Sequence, residues 1–596
     1  MTDKNRGKWN RLVKPKINRK VISKHLHKVE GVTIRHAHKF VIKRWSNIRD
    51  AHQHVVVWII AMGLLIAAAG MQLVWDQQNY RTLAPSKDST YAEAVLGPVD
   101  TLNPLYAKSD AEQSASYLLF SRLLNYDTTG HLGYDLATDV SVNSDKTIYT
   151  VSIRPNVKWH DGVKLTAKDV VFTVNATMDP TTRAINSGWS DVTVKAINDT
   201  TVQFTLKSTY AAFEHALTFP ILPEHILGKI SHSSLRENTF SSQPIGSGPF
   251  KINLVQQVDN SAGHKTIYLT RNDNYYKGQP KLIRFQLHVY DSGNAIIDAL
   301  SNNEVNAATS LSSADLGRVN TKNFDVLSEP IQGGVYAILN TKSSLLSDVK
   351  IRSAMQLGTD VADVRAKLPP GTPSLYLPFT NKQLTGDVPP VPKYNKLVAE
   401  KILSDDGWVL NKNGVRVKSG QELKISVVTV KNSEFERVLE VLAGQWRALG
   451  IAIETQVVDP NVASQNGAKN IIQSRNYDVL LYQLDIGADP DVYAYWHSSQ
   501  ISNLNFANYT NVISDDALSS AQARLELNVR NAKYITFTKQ WLADIPAIGL
   551  YQATTLYIIS HDTHTFNTSN VLISPTDRYS DILNWSVGNH SVYKTP

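Results

Sequence analysis

Twenty-one consecutive residues, Val55 to Trp75 (VVVWIIAMGLLIAAAGMQLVW), carry no formal charge, and Gln72 is their only strongly polar side chain. Wound as a helix at about 1.5 Å per residue, the run is roughly 30 Å long, the thickness of the hydrocarbon layer of a bilayer. Trp58 and Trp75 fall near its two ends, where amphipathic rings favour the membrane interface. Such a helix divides the chain into parts that face different compartments, and the charge follows that division. Residues 1–54 hold 15 Lys/Arg and three acids, whereas the other 542 residues hold 46 basic and 50 acidic side chains. The net charge of +8 is therefore a +12 tail joined to a −4 remainder. A basic flank stays on the cytoplasmic side, so the sequence predicts a single-pass protein of the cell membrane with residues 76–596 outside.

A cleaved signal peptide normally joins a short charged region to an apolar stretch of about 7–15 residues. Both parts are longer here, so an uncleaved anchor is expected, although the AAAG at Ala67–Gly70 resembles a cleavage site. A buried helix of a soluble domain rarely stays apolar this long. The basic tail also suits nucleic acid, but Trp9, Phe40 and Trp45 are too sparse for a base-stacking platform. Attraction to lipid headgroups is the expected role, with no nucleic-acid partner. Cysteine is absent. That excludes disulfides, thiolate metal sites, a cysteine nucleophile and a lipid-modified N-terminal cysteine.

Beyond a polar stretch at Asp76–Thr90, strand and helix patterns alternate. Tyr149, Val151 and Ile153, and again Val202, Phe204 and Leu206, alternate with polar residues as half-buried strands do. SEFERVLEVLAGQWRALG reads as a helix with a Ser433/Glu436 capping box, an apolar face through Phe435, Val438, Leu439, Leu442, Trp446 and Leu449, and a left-handed stop at Gly450. Ile451–Val458 then reads as a strand, completing an α/β unit. No GxxxxGK[ST], HExxH or GxSxG occurs, which shifts expectation from an enzyme to a binding protein. His561 and His564 lack a third nearby ligand, so no metal and no cofactor is expected.

From Leu102-Asn103-Pro104 onward the sequence resembles the family 5 extracellular solute-binding proteins, the oligopeptide- and dipeptide-binding group that serves ATP-driven importers. The likeness runs from about Tyr91 to Tyr551. It is carried by LNPLY at Leu102–Tyr106, by PNVKWHDGVKLTAKDVVF at Pro155–Phe172, and by PIGSGPF at Pro244–Phe250. RNDNYYKGQP at Arg271–Pro280, the series Asn340, Asp348, Arg352 and Asp360, AEKILSDDGW at Ala399–Trp408 and ADIPAIGLY at Ala543–Tyr551 continue it. Within the second motif, Asp161-Gly162 reads as a turn, Thr166 as a helix N-cap and Asp169 as a first-turn acid. These are structural roles. The two glycines and proline of PIGSGPF predict a sharp chain reversal at a domain crossover.

The resemblance implies an α/β, two-lobed periplasmic-binding-protein-like fold with an extra inserted domain. Expected bounds are 1–54 for the tail, 55–75 for the membrane helix and 76–90 for a linker. One lobe then takes 91–126, 244–335 and 549–596, with 127–243 inserted in it, and the second lobe takes 336–548. The chain would cross between lobes near Gln332–Asn340 and Asp544–Tyr551. In peptide-binding relatives an aspartate ahead of an Asp-Pro pair holds the ligand's α-ammonium group. The corresponding residue in YDVLLYQLDIGADPDVYAYW is Asp485, one residue further from Asp489-Pro490 than in those relatives. Tyr482, Tyr493, Trp496 and Asn340 complete the expected ligand site, with Tyr495 a further candidate, while Asp489 and Asp491 are expected to cap the loop. The implied partners are a peptide, a permease and ATPase subunits, and the bilayer through residues 55–75, with the chain itself a monomer. A nickel complex, a sugar or haem as ligand, or a membrane-tethered sensor, are the alternatives.

Overall fold

Two strands run the length of the architecture. Phe324–Leu339 and Ala547–Ser560 pair antiparallel from Phe324 opposite Ser560 to Ile338 opposite Ala547, with a break in register between Pro330 and Gly334. They are the middle of a ten-stranded sheet. On one side lie Val479–Asp485, Lys424–Val430 and Ala452–Val458, the latter two parallel to the first. On the other side follow Ala307–Thr309, Thr90–Leu96, Arg284–Tyr290, Lys265–Arg271 and Phe250–Gln257. The break divides the sheet into two halves that share only this ribbon. Gly334 sits at the break because a Cβ there would run into Leu375 and the Tyr336 ring.

This computed structural model describes residues 52–85, 89–185, 192–257, 264–312, 314–459, 467–565 and 570–593. Each half of the sheet is covered by apolar side chains on both faces. In the half carrying Val479–Asp485, Val335, Ala337 and Leu481 pack with Trp446 on one face, and Tyr336, Ile338 and Leu480 pack with Trp496 and Trp541 on the other. In the other half, Tyr91, Val95 and Leu287 face one core and Ala92, Ala94 and Ile296 face a second. A separate four-stranded sheet, ordered Ala137–Val142, Ile148–Ile153, Thr201–Leu206, Val192–Asn198, buries Tyr149, Val151, Ile153, Val202 and Phe204 in a core of its own. The period-two pattern read from the sequence is the inward face of that sheet.

Local signals place the connections. Thr166 and Asp169 cap the helix Ala167–Met178 reciprocally, and Gly162 adopts φ +92° in the turn before it. The helix Ser433–Arg447 buries Phe435, Val438, Leu439, Leu442 and Trp446, and Gly450 stops it at φ +87°. Its cap is Asn432, not Ser433: the Asn432 side chain accepts from the backbone of Glu434 and Phe435 at 2.8 and 3.2 Å. The amide oxygen one residue upstream reaches the free N–H groups first, so the expected Ser433/Glu436 box does not form. Gly246 and Gly248 also differ from expectation. Neither has a positive φ. A Cβ on either would overlap the backbone of Leu118 or Leu119, so the glycines permit close approach of two chains.

Beneath the half-sheet of Thr90–Leu96, Glu93 is fully buried and paired with Arg578 at 2.6 Å. Tyr91 and Tyr557 donate to one carboxylate oxygen at 3.1 and 3.0 Å, and Tyr579 donates to the other at 2.5 Å. A buried charge of this kind is tolerated only when fully hydrogen-bonded.

The apolar run forms a helix, His52–Tyr80. Its segment His54–Trp75 has a mean hydropathy of 2.2 and is wholly unburied, with Trp58 73% exposed. It is therefore no core helix of the fold. It continues past Trp75 into the stretch expected as linker and leads to the strand Arg81–Pro85, which pairs with Asn589–Tyr593. The helix and residues 81–84 and 590–593 of the strand pair belong to one unit and residues 85–589 to another. Residues 1–51 of the basic tail lie outside the described residues.

Candidate functional site

In an open sheet, ligands bind beyond the carboxyl ends of parallel strands. Val479–Asp485 and its parallel neighbours end at Asp485, Val430 and Val458. Asp485 lies opposite Gly333, at the register break between the halves. Its side chain is exposed and accepts one hydrogen bond, from Gln483 at 2.8 Å. The Asp485 carbonyl accepts from the Tyr495 hydroxyl at 2.6 Å, which fixes the strand end.

Strand alternation separates the other expected residues. Val479 and Leu481 face the core of Trp446, and Asp485 follows them in phase; Leu480 and Leu484 face the core of Trp496, as Tyr482 does. Tyr482 is half-buried with its ring edge-on to Phe506 at 5.6 Å. Tyr493 stacks on His497 at 4.1 Å and keeps a partly exposed hydroxyl near Ser499. Trp496 is 1% exposed between Tyr336 and Trp541. Asn340 lies past the far end of the Gly333–Leu339 pairing, roughly 20 Å of strand from Asp485. Its amide donates to the Tyr477 and Arg475 carbonyls and accepts from Lys342 and Asn508. The structure thus leaves Asp485 at one end of the sheet, sets Tyr482 in mid-strand on the opposite face against the core that holds Trp496, carries Tyr493 in the segment that follows and leaves Asn340 at the other end.

The loop after Asp485 is tied down by its two acids. Asp489 forms a bidentate pair with Arg530 on the helix Leu527–Asp544. Asp491 accepts from the backbone of Tyr493 at 3.2 Å and from the Gln522 side chain at 3.0 Å. Burial raises the Asp491 carboxyl above the usual carboxylate range. Capping describes Asp491; for Asp489 the partner is an arginine 41 residues away. Arg530 carried a signal that went unread, because it occupies the same buried helical face as Tyr534, Phe537 and Trp541. An arginine in such a stripe requires a buried partner.

Two further groups have no sequence signal. Burial and the nearby Asp491 raise the Tyr210 phenol above its usual range, and Glu434, raised in pKa by burial, accepts from the Tyr551 hydroxyl at 2.9 Å. Glu434 stands in the first turn of its helix, and Tyr551 is one residue from the register break. His561 and His564 are bound separately, to Asp325 and Asn589, and no group of three metal-ligating side chains occurs among the described residues.

Comparison with known proteins places this geometry. Residues 131–504 match the family model described as bacterial extracellular solute-binding proteins, family 5 middle. The chain is 28% identical over 485 residues to the oligopeptide-binding protein AppA of Bacillus subtilis, covering 78% of this chain and 87% of that one. The structure of AppA from Bacillus subtilis in complex with a nonapeptide superposes with a TM-score of 0.70 at 24% identity, over 85% of this chain and all of that one. NikZ from Campylobacter jejuni in complex with Ni(L-His) gives a TM-score of 0.71 at 24% identity, over 83% and 99% of the two chains. The chain shares the two-lobed fold of these structures; we call the half of the sheet with Thr90–Leu96 lobe I and the half with Val479–Asp485 lobe II.

Proposed function

Because the chain belongs to the bacterial extracellular solute-binding proteins of family 5, we propose that it captures peptides outside the cell and delivers them to the permease of an ABC importer. The observation that carries this reading is the likeness to the oligopeptide-binding AppA across 78% of the chain. The exposed carboxylate of Asp485, at the carboxyl end of a parallel strand and beside the interlobe ribbon, supports it. Enclosing an ammonium group is costly unless a carboxylate pairs with it. Asp485 anchors the peptide amino terminus, Tyr482 and Tyr493 border the side-chain pockets, and Trp496 and Asn340 hold lobe II rigid around them. The peptide backbone is held by strand-like hydrogen bonds, which give affinity with little selectivity. Ligand shifts the population toward a closed form, and closure is what the permease reads. No bond is made or broken in this protein. The helix His52–Tyr80 anchors it in the membrane as a monomer, with the basic tail inside.

Mass spectrometry of solutes retained by the purified protein tests the ligand class. Heterogeneous short peptides are expected; a single metal complex, as in the NikZ likeness, would replace the peptide reading. Calorimetry of Asp485→Asn with a retained peptide tests the anchor. A loss of about 10-fold or more is expected for a charged group left unpaired, and unchanged affinity would remove Asp485 from the site.

A further inference from the structure

The four-stranded sheet and lobe II have separate cores, yet they meet along a seam. Lys146 Nζ lies 2.6 Å from Glu526 Oε1, across 380 residues of sequence. The Ala211 N–H donates to the Gln522 carbonyl at 2.8 Å. His215 Nε2 lies 3.9 Å from Asp489 Oδ2. None of these contacts belongs to either apolar core.

The backbone contact satisfies a group that its own body leaves incomplete. Gln522 is the last residue of the helix Val512–Gln522, and a carbonyl there has no partner within the helix. Ala211 supplies one. Lobe II is joined to lobe I through the ribbon, and the four-stranded sheet to lobe I through the chain on either side of it. The seam closes the ring. Parting it costs no apolar core, only these polar contacts, each of which water can replace at a small net loss.

We propose that this seam is a closing latch, in which Lys146–Glu526 and Ala211–Gln522 hold the four-stranded sheet against lobe II and set the balance between closed and open protein before any solute binds. The latch deepens the capture reading, since a protein biased toward closure pays less of the closing cost when its solute arrives.

The chain has no cysteine, so Lys195→Cys and Asp516→Cys, both at exposed positions on the two bodies, create the only thiols for a dye pair. Single-molecule energy transfer on the full chain in detergent micelles, without solute, reads the closed-to-open ratio. Glu526→Lys should lower it about three-fold, the scale of an exposed ion pair. Adding Lys146→Glu to Glu526→Lys should restore the first loss. Unchanged distances in Glu526→Lys, or failure of the charge swap to restore, would overturn the latch. Thermal melting of the same variants should be unchanged, because the cores are untouched; a lowered melting temperature would assign the contacts to folding and overturn the latch. Because the ratio is read without solute, failure of the protein to bind peptides would sink the capture reading while leaving the latch decided.

Discussion

Arg530 grips Asp489 through two parallel hydrogen bonds, Nη1 to Oδ2 at 2.7 Å and Nη2 to Oδ1 at 2.5 Å, with both side chains less than a tenth exposed. The pair pins the loop that follows Asp485 to the helix Leu527–Asp544. Removing one partner leaves the other charged and buried, a cost of about 3 kcal/mol or more. Arg530→Met should therefore lower the unfolding free energy by that amount in urea titration. The double change with Asp489→Asn should recover most of it. Arg530→Lys should fall between, because an ammonium cannot fork. Equal stability of single and double variants would show that the pair does not act as a unit.

His160 ties the PIGSGPF segment to the turn at Asp161-Gly162. Its Nδ1 accepts from the Gly246 N–H at 3.1 Å, so Nε2 carries the proton and donates to the Gly248 carbonyl at 3.2 Å. Burial pushes the imidazole down to about 4, against 6.5 for the unfolded chain. The unfolded state thus takes up a proton first as pH falls. The stabilisation is complete above pH 6.5 and is lost as pH drops toward 4, on the order of 2 kcal/mol. The urea midpoint measured at pH 7.5 and 4.5 should differ less in His160→Gln than in the parent, since the amide can accept and donate at both pH values. An identical pH dependence in the two proteins would exclude His160 as the source.

Two glycines should respond to alanine with opposite sign. Gly246→Ala drives a methyl group into the Leu119 carbonyl and should cost roughly 2 kcal/mol or more, by overpacking. Gly444, inside the helix Ser433–Arg447, has open space for 4 Å around the place a Cβ would take. Gly444→Ala should stabilise by up to about 1 kcal/mol through helix propensity. Differential scanning calorimetry of both variants checks the pair.

Legibility in the sequence followed the range of each interaction. Thr166 and Asp169 are three residues apart and their reciprocal cap was readable; so were the inward residues Tyr149, Val151 and Ile153, because strand alternation is local. The cap at Asn432 was missed because two adjacent residues can serve and only geometry chooses. The glycines of PIGSGPF were noticed, but what they approach, Leu119, lies more than 120 residues away. Family motifs came in the right order, yet order does not say which end of a strand a residue occupies. Asn340 and Asp485 both flank the same strand pair and stand at opposite ends of it. Tyr210 and Asp491 meet only through the fold, and nothing in either segment announces the other.

The buried carboxylate of Glu93 sets the timetable of folding. Its partners Tyr557, Arg578 and Tyr579 lie 464 to 486 residues further along the chain. Lobe I is the first to leave the ribosome and the last that can finish, since until Arg578 arrives an acid sits uncompensated in its core. The interlobe ribbon adds the same delay, pairing Phe324 with Ser560. Contacts of such separation make folding slow, and the half-built lobe exposes apolar surface meanwhile. A chain stopped short of Arg578 would lose more than its tail; the lobe made first would never close.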